Sequence, residues 1–468
     1  MKKFKLTAVI IAVGLLATYG FAKSIPHWFA PKMTNPPQVD IQDPELIAKG
    51  EYYARVADCV ACHTAPGGQS FAGGLGMQTP LGAIYSTNIT PDPETGIGDY
   101  SYADFERAVR RGVRPDNVAL YPAMPFVSYM IAEDEEIEAM YAYFMSAVEP
   151  VKQDNHPATI PWPASMRWPV SFWHLAFAQP RQFEPHPERT AEQNHGAYLV
   201  EGLAHCGACH TPRGIGFQEK ALADDSSREF LGGSVLEGWF AKSLRNEGVG
   251  LAIWSEEEIV EFLRTGRTDH TAAFGSMAEV VEHSTQYFSD GDLQAIAAYL
   301  KSLPERQGYD QEWLPNEDTT TAKLRSGQID SPGAIIYTQE CAACHRMDGR
   351  GAPRIFPALA QNSIVFAEDP SSLIQVTMAG GVMADTEHDT MAFAMPAFYH
   401  LSNQDLADVL NFIRNGWGNH GSEITTRDIA RMRRIVDNAP HHYAPEHHAP
   451  EHSAPQHQAP AAEEQYYE

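Results

Sequence analysis

Three stretches of the chain carry apolar residues three and four positions apart, the pattern of an amphipathic helix with one buried face. These stretches cover residues 133–147, 290–303 and 403–415. In the second stretch, Leu293, Ile296 and Leu300 follow this spacing. Ser289 and Ser402 stand just before the second and third stretches, each with an aspartate three residues later, which predicts a capping box. The pattern therefore predicts three amphipathic helices at similar places in three parts of the chain.

A shorter helix is predicted ahead of each of three Cys-x-x-Cys-His sequences. Gly50, Gly196 and Gly333 each lie about two to three helical turns before the first cysteine, and aromatic or aliphatic residues follow each of them. Lead helix, cysteine motif and closing helix thus recur at the scale of a domain. The sequence between them is rich in Gly and Pro and shows little strand alternation. Each unit is therefore predicted to be α-rich with long loops.

Proline-rich stretches separate the repeats and set the predicted boundaries. The predicted segments are a signal peptide or membrane anchor at 1–23, a first unit at 44–150, a Pro/Trp-rich linker at 151–190, a second unit at 191–305, a linker at 306–330, a third unit at 331–420, a C-terminal helix at 421–438 and a tail at 439–468. The tail repeats Ala-Pro with interleaved histidines, so we expect it to be disordered. Loose capture of metal ions by its histidines is the alternative interpretation.

The N-terminal 23 residues combine a basic start with an apolar run. Three lysines precede residues 6–22, which would form a helix roughly 25 Å long. Small residues such as Gly20 suit signal cleavage, whereas Trp28 and its aromatic neighbour are typical of the membrane interface beside a retained anchor. The aromatic pair favours retention. Under both interpretations the rest of the chain is exported and works at the periplasmic face of the inner membrane.

The charge balance narrows the choice of partner. Lys and Arg number 34 against 60 Asp and Glu, a formal net charge of −26 with neutral histidines. Such a chain repels phosphate backbones, so no nucleic acid is expected as a partner. Hydrophobic residues make up 43% of the 468 positions, which is enough for several folded domains with buried cores.

All six cysteines belong to the three Cys-x-x-Cys-His motifs. Two cysteines three positions apart on a helical turn can add to the two vinyl groups of a haem, and the adjacent histidine reaches the iron from the same side. The predicted attachment residues are Cys59, Cys62 and His63; Cys206, Cys209 and His210; and Cys341, Cys344 and His345. The sequence therefore predicts three covalently bound haem c groups.

Two other interpretations of the cysteine pairs fit less well. A zinc ribbon places its two Cys-x-x-Cys knuckles about 15 to 20 residues apart, whereas these pairs are separated by more than a hundred. A thioredoxin-like dithiol needs a βαβ context, which none of the motifs shows.

A methionine in each unit is the candidate for the sixth iron ligand, because a thioether favours ferrous iron. Met124 lies between two prolines and Met395 precedes one, so each sits on a stiffened, extended loop. Met277 is the only methionine between the second motif and the end of its unit, with His270 and His283 as rivals. Other methionines are interpreted as core residues: Met77, Met130, Met140, Met145, Met378, Met383 and Met391.

Iron held on both faces has no open position for a substrate, so these haems are predicted to carry electrons. The predicted fold is mainly α, with three tandem haem domains of the class I cytochrome c type and long loops. No catalytic residue is assigned. The glycines around Gly74 do not link a strand to a helix, as a dinucleotide-binding fingerprint must, and no hydrolase motif is present.

From about residue 44 to residue 431 the chain resembles the triheme cytochrome c subunits of membrane-bound, quinone-dependent alcohol dehydrogenases, a family with close relatives in gluconate, sorbitol and aldehyde dehydrogenases. The stretches that carry the resemblance are residues 57–64, 84–92, 120–125, 206–213, 284–287 and 411–414.

The resemblance implies a catalytic partner and an acceptor. In this family a separate dehydrogenase subunit, a quinoprotein, flavoprotein or molybdoprotein, oxidises the substrate, and the cytochrome subunit passes the electrons to ubiquinone. The family's haem residues carry over to the nine attachment positions and to Met124, Met277 and Met395. The ends of the chain depart from the family, because relatives often attach to the membrane through a C-terminal helical segment.

Other classes of function compete with this hypothesis. A free-standing or oxidase-linked multihaem carrier would serve several donors without a dedicated dehydrogenase. A haem peroxidase would require one iron without its methionine. A zinc protein without haem would be colourless.

Overall fold

Each of the three units is bracketed by a lead helix and a closing helix in the computed structural model, which describes residues 2–79, 81–224, 227–236, 238–248, 250–306 and 318–438. The side chains of residues 2–12, 15 and 438 lie outside this description. So do residues 307–317 of the second predicted linker and the whole predicted tail, residues 439–468.

The described part of the chain is mainly helical, with short two-stranded hairpins. The N-terminal segment and first unit contain α1 (Lys2–Phe29), α2 (Pro44–Val56), α3 (Cys59–Cys62), β1 (Gly76–Thr79), β2 (Gly82–Tyr85), α4 (Tyr102–Arg111), α5 (Phe126–Tyr129) and α6 (Asp134–Ser146). The first linker and second unit contain α7 (Val170–Phe177), α8 (Ala191–Glu201), α9 (Gly207–His210), β3 (Ser234–Leu236), β4 (Trp239–Ala241), α10 (Glu256–Thr265), α11 (Ser276–His283), a 3-10 turn (Thr285–Tyr287) and α12 (Asp290–Ser302). The remainder contains α13 (Thr320–Arg325), α14 (Pro332–Ile336), a π-helical turn (Tyr337–Cys341), α15 (Ala342–His345), α16 (Ser371–Ala379), β5 (Gly381–Val382), β6 (Ala394–Met395), α17 (Asn403–Asn415) and α18 (Thr426–Asn438).

A glycine lets the lead helix touch the backbone of the closing helix in every unit. Gly50, Gly196 and Gly333, the residues that mark the predicted lead helices, lie at the crossings of α2 with α6, α8 with α12, and α14 with α17. A Cβ atom at these positions would lie 1.9 Å from the carbonyl oxygen of Ala139, 1.9 Å from that of Ala295 and 2.2 Å from that of Asp408. Only glycine permits so close an approach, because a larger residue would push the two helices apart.

The three closing helices begin and end within one residue of the predicted positions. Ser402 forms the predicted capping box with Asp405. At Ser289 only half of the predicted capping box forms: the Ser289 side chain accepts a hydrogen bond from the Asp292 backbone, whereas the Ser289 backbone N–H donates to Tyr52. The sequence pattern therefore located both the helices and their starts.

The hairpins and α7 were not predicted. β1 pairs with β2, β3 with β4, and β5 with β6, all antiparallel. Strands of two to four residues are too short to show alternation. Helix α7 lies within the predicted linker, where an almost uniformly apolar sequence has no polar face and no capping residue to mark it.

Two tyrosines join the first unit to the second in the same way from opposite sides. Tyr52 of α2 donates a hydrogen bond to Asp292 at the start of α12. Tyr198 of α8 donates one to Glu136 at the start of α6. Each tyrosine oxygen also accepts from a backbone N–H beside the same helix start, at 3.1 Å in both cases. Each lead helix therefore caps the closing helix of the other unit.

The third unit joins the second through a buried guanidinium. Arg267 donates to the carbonyl oxygen of Ala384 at 2.9 Å, and its Nε lies 3.5 Å from the carboxylate of Asp389. Arg354 holds the same carboxylate at 2.8 Å and also pairs with Glu261 of α10. These contacts cross from one unit to the other, so the two units form one packed body.

Helix α1 ends against the first unit. Ala22, Ile25 and Ala30 are buried, and Arg107 of α4 donates to the Ala30 carbonyl at 2.7 Å. Within the residues that the structure describes, no helix combines the length and the apolar character needed to cross a membrane.

Candidate functional site

The three cysteine motifs occupy short helical turns that follow the lead helices. The first two lie on or beside α3 and α9, and the third spans the π-helical turn and α15. In each motif the first cysteine is half-buried and the second is exposed. The second thiol of each pair is therefore the more accessible of the two.

The motif histidines share one hydrogen-bond arrangement. Their Nδ1 atoms lie against the backbone carbonyl oxygens of Thr87, at 2.7 Å, Lys242, at 2.7 Å, and Pro357, at 2.9 Å. A carbonyl oxygen can only accept, so Nδ1 carries the proton and Nε2 keeps its lone pair. Burial lowers the pKa of all three imidazoles, that of His210 to about 4. Each ring is therefore neutral near pH 7 and able to bind a metal through Nε2.

One continuous cavity of about 1590 Å³ reaches all three motifs. Five of the six cysteines line it: Cys62, Cys206, Cys209, Cys341 and Cys344. Its walls are largely apolar. Segments from all three units line this cavity, although more than a hundred residues separate successive motifs.

In the second unit, His210 and Met277 both line the cavity. Met277 is half-buried in the first turn of α11. Of its two rivals, His283 also lines the cavity, at the other end of α11. His270 instead approaches the Glu258 carboxylate, with Nδ1 3.6 Å from it. The structure thus brings the predicted ligand pair of the second haem into one space.

In the third unit, His345 and Met395 line the same cavity. Met395 lies on β6, so a strand rather than a free loop carries it. Met383 also lines the cavity, whereas Met378 is buried in the core of the unit and Met391 is 59% exposed.

The first unit is arranged differently. Met124 packs beside Phe126, Met130 and Trp173, and it lines a small separate pocket with Ala208 of the second unit. Met77, from the same unit, lines the large cavity near Cys62. The pairing of His63 with Met124 therefore stays a prediction.

The thiols are not poised for redox or nucleophilic chemistry. Burial raises the pKa of Cys59, Cys206 and Cys341 to about 12. A redox dithiol needs a thiol with a lowered pKa, since the thiolate is the reactive form. The structure therefore disfavours a thioredoxin-like dithiol.

A lysine lies between the second and third sites. The Lys242 ammonium donates to the Gly250 carbonyl at 2.9 Å and to Ser363 Oγ of the third unit at 3.1 Å, and it lies 4.7 Å from the centre of the Trp254 ring. Burial lowers its pKa to about 7, against a weaker opposing influence from Glu247. The Lys242 side chain thus places a cation in the cavity wall. The backbone carbonyl of the same residue orients His210.

These residues fit haem c. Each motif offers two thiols on one turn beside an oriented imidazole, and in the second and third units a thioether lies in the same apolar cavity. Thiol pairs of this kind hold the porphyrin edge, and nitrogen and sulfur donors suit its iron.

Sequence reasoning missed the carbonyl oxygens that accept hydrogen bonds from the motif histidines, and it missed Lys242. Thr87 lies in a stretch that carries the family resemblance, residues 84–92, which was a usable signal. Lys242 has no such signal, because its position depends on β4 and on contacts with the third unit. Asp58 was also missed; it is buried beside Cys59, and burial raises the pKa of its carboxyl.

Comparison with known proteins agrees with this site. The model of the cytochrome c family matches residues 195–304 and 331–417, which cover the second and third motifs. The chain is 49% identical over 396 residues to the gluconate 2-dehydrogenase cytochrome c subunit of Pantoea cypripedii, covering 83% of this chain and 90% of that protein.

Alcohol dehydrogenases provide similar relatives. The chain is 49% identical over 396 residues to the cytochrome c subunit of the quinone-type alcohol dehydrogenase of Gluconacetobacter polyoxogenes, covering 84% of this chain and 85% of that protein. It is 47% identical over 401 residues to the corresponding subunit of Gluconobacter oxydans, covering 84% and 83%. These identities and coverages lead to one conclusion. The chain belongs to the family of cytochrome c subunits of alcohol and gluconate dehydrogenases.

Proposed function

We propose that the chain is a triheme c-type cytochrome that carries electrons from a catalytic dehydrogenase subunit to ubiquinone. The partner is a quinoprotein, flavoprotein or molybdoprotein that oxidises an alcohol, an aldehyde, or a polyol or sugar acid. The complex works at the periplasmic face of the cell inner membrane, to which residues 1–23 direct the chain as a signal or an anchor. Residues 44–150, 191–305 and 331–420 form the three haem domains.

The chain holds each haem by two thioethers and one imidazole. Cys59 and Cys62, Cys206 and Cys209, and Cys341 and Cys344 attach the three groups, and His63, His210 and His345 bind the irons. Met124, Met277 and Met395 would supply thioether sulfur ligands to the irons. Haem bound in this way supplies a one-electron couple whose potential the methionine raises.

The chain's own residues orient the ligands and exclude water. The carbonyls of Thr87, Lys242 and Pro357 fix the imidazole rings before the iron binds. Apolar side chains such as Leu244 and Phe262 line the cavity and keep its polarity low. Both effects stabilise one ligand geometry in the two oxidation states.

The observation that carries the proposal is the continuous cavity. Five cysteines from three motifs line one space, together with the ligand pairs of the second and third units. Three cofactors that exchanged no electrons would be expected to occupy three separate pockets. The shared cavity supports a relay, in which electrons would pass from one haem to the next within the chain.

The test is a gentle purification from membranes, with the partner subunits kept. Haem content per chain is measured by its pyridine haemochrome spectrum, and reduction is recorded after adding ethanol, acetaldehyde or gluconate in place of dithionite. Three haems per chain, reduced by one of these substrates and reoxidised by a soluble ubiquinone analogue, are expected.

Two results would contradict the proposal. Haems that only dithionite reduces, with no large subunit co-purifying, would indicate a free-standing or oxidase-linked carrier. A colourless protein that contains zinc would exclude haem altogether.

A further inference from the structure

An exposed aromatic face lies where the N-terminal helix meets the first linker. We define this aromatic face by Tyr19, Phe21 and Trp28 of α1 together with Trp162 and Leu175 of the linker. Trp162 is 81% exposed and Trp28 63% exposed. Ring contacts join α1 to the linker: Tyr19 with Trp168 at 6.4 Å and Phe21 with Phe172 at 6.1 Å, while Phe21 also contacts Trp28 at 5.4 Å. So many clustered, exposed apolar side chains mark an interaction surface.

The inner side of the same elements is firmly packed. The Phe29 ring contacts the buried His174 ring of α7 at 5.2 Å, and His174 stacks on Phe126 of the first unit at 4.7 Å. His174 Nε2 lies 3.0 Å from the Leu120 carbonyl oxygen. Together with the bond from Arg107 to Ala30, these contacts fix α7 and the end of α1 on the first unit. The aromatic face is therefore displayed by rigid elements.

The two segments that supply the aromatic face have a net positive charge, whereas the whole chain has a net negative charge. Residues 1–39 and 155–183, which supply the face, contain none of the 60 acidic residues. Lys23 and Lys32 are exposed in these segments. A chain of net charge −26 thus builds the aromatic face from two segments that carry basic residues and no carboxylate side chains.

We propose that this aromatic face docks on the surface of an anionic phospholipid bilayer. Trp and Tyr are the side chains that favour the headgroup region, and nearby cations are attracted to anionic lipid. The apolar run at residues 6–22 leads directly out of the face, so both elements meet the same lipid phase. Helix α7 then lies along the membrane surface. The proposal rests on the membrane location in the proposed function and adds the surface that faces the lipid.

A flotation assay with vesicles tests the proposal on the full-length holoprotein. Vesicles of phosphatidylglycerol and phosphatidylethanolamine are compared with vesicles of phosphatidylcholine alone. The test variant is Trp162→Ser with Leu175→Ser. The control is Ile215→Ser with Val382→Ser, which removes two exposed apolar side chains elsewhere, at 100% and 45% exposure. We expect the test variant to partition about tenfold less into anionic vesicles, and the control to behave as the wild type.

A charge variant separates the electrostatic part. Lys23→Glu with Lys32→Glu should weaken binding to anionic vesicles and leave binding to phosphatidylcholine unchanged. Two results would overturn the proposal. Equal partition of the test variant and the wild type would show that residues 6–22 suffice without the face. Intact vesicle binding with loss of the dehydrogenase subunit would identify the face as a protein interface. Haem content, measured on the same samples, reports on the proposed function independently.

Discussion

At the residue scale, the position of Met277 in the cavity predicts that its thioether binds the iron of the second haem, and a substitution can test this. Replacing it with leucine should abolish the methionine–iron charge-transfer band of one haem and lower that haem's midpoint potential, because the thioether favours ferrous iron. His283→Gln is the matched control, since His283 lines the same cavity from the same helix. In both variants, low-temperature absorption spectra measure the charge-transfer band and a redox titration measures the midpoint potential. An unchanged band and midpoint potential in the Met277 variant, with a changed haem spectrum in the His283 variant, would reverse the assignment.

Lys242 offers a second test at this scale. Its ammonium lies in the cavity wall between the second and third sites, and a nearby positive charge favours the reduced form of a haem. Lys242→Met, studied at pH 6, below its pKa of about 7, should lower the midpoint potential of one haem by on the order of tens of millivolts. Lys301→Met is the control, because Lys301 binds the backbone of the same unit at Leu251. An unchanged titration curve would show that Lys242 only packs.

At the element scale, the helix crossings depend on their glycines. Gly196→Ala places a Cβ against the Ala295 carbonyl, so we expect a loss of about 1 to 3 kcal/mol in the free energy of unfolding. Gly291→Ala, in the closing helix of the same unit, meets only Ser289 Oγ at 3.8 Å and should leave stability equal or slightly raised. Guanidinium unfolding followed by far-UV circular dichroism compares the two. Equal stabilities would mean that the crossing can widen at no cost.

The docking of α7 should depend on pH through His174. Burial lowers the pKa of His174 to about 4, below the usual 6.5. The unfolded chain therefore binds a proton more readily than the folded one between these values, and stability falls as the pH drops from about 6.5 to about 4. The contribution is on the order of 2 to 3 kcal/mol. His174→Phe should flatten this part of the stability curve relative to the wild type, measured by urea unfolding at each pH, while groups such as Glu219 cancel in the comparison.

The sequence predicts these elements unequally, for physical reasons. The closing helices repeat an apolar spacing and begin at capping residues such as Ser402, so local rules suffice. Helix α7 is apolar on all sides, so its sequence does not indicate which face is buried. The buried face is determined by packing against α1 and α5. The position of Met395 on a strand depends on pairing with Gly381, fourteen residues away. The attachment residues follow from a local motif, whereas the merged cavity follows from how the units pack.

At the scale of the whole molecule, Arg267 should hold the second and third units together. Arg267→Met leaves the Ala384 carbonyl without its donor and Asp389 with Arg354 alone, so we expect a loss of roughly 3 kcal/mol. Arg325→Met is the control, because the Arg325 side chain is 62% exposed, lies 3.5 Å from Asp348 and leaves that carboxylate paired with Arg346. Chemical unfolding measured by haem absorbance should show an earlier transition in the Arg267 variant. A single unshifted transition would show that apolar contacts alone join the units.

The reciprocal tyrosines have a consequence for the symmetry of the molecule. Tyr52 and Tyr198 exchange equivalent contacts, as two units related by a two-fold axis do. Each of the two units uses its lead helix to contact the other unit. Neither lead helix is therefore available for the same contact with the third unit. The third unit carries Ile335, 45% exposed, at the tyrosine position, and it is held through Arg267 instead. The first two units therefore form a reciprocal pair, and the third unit is attached to this pair through a contact of a different kind.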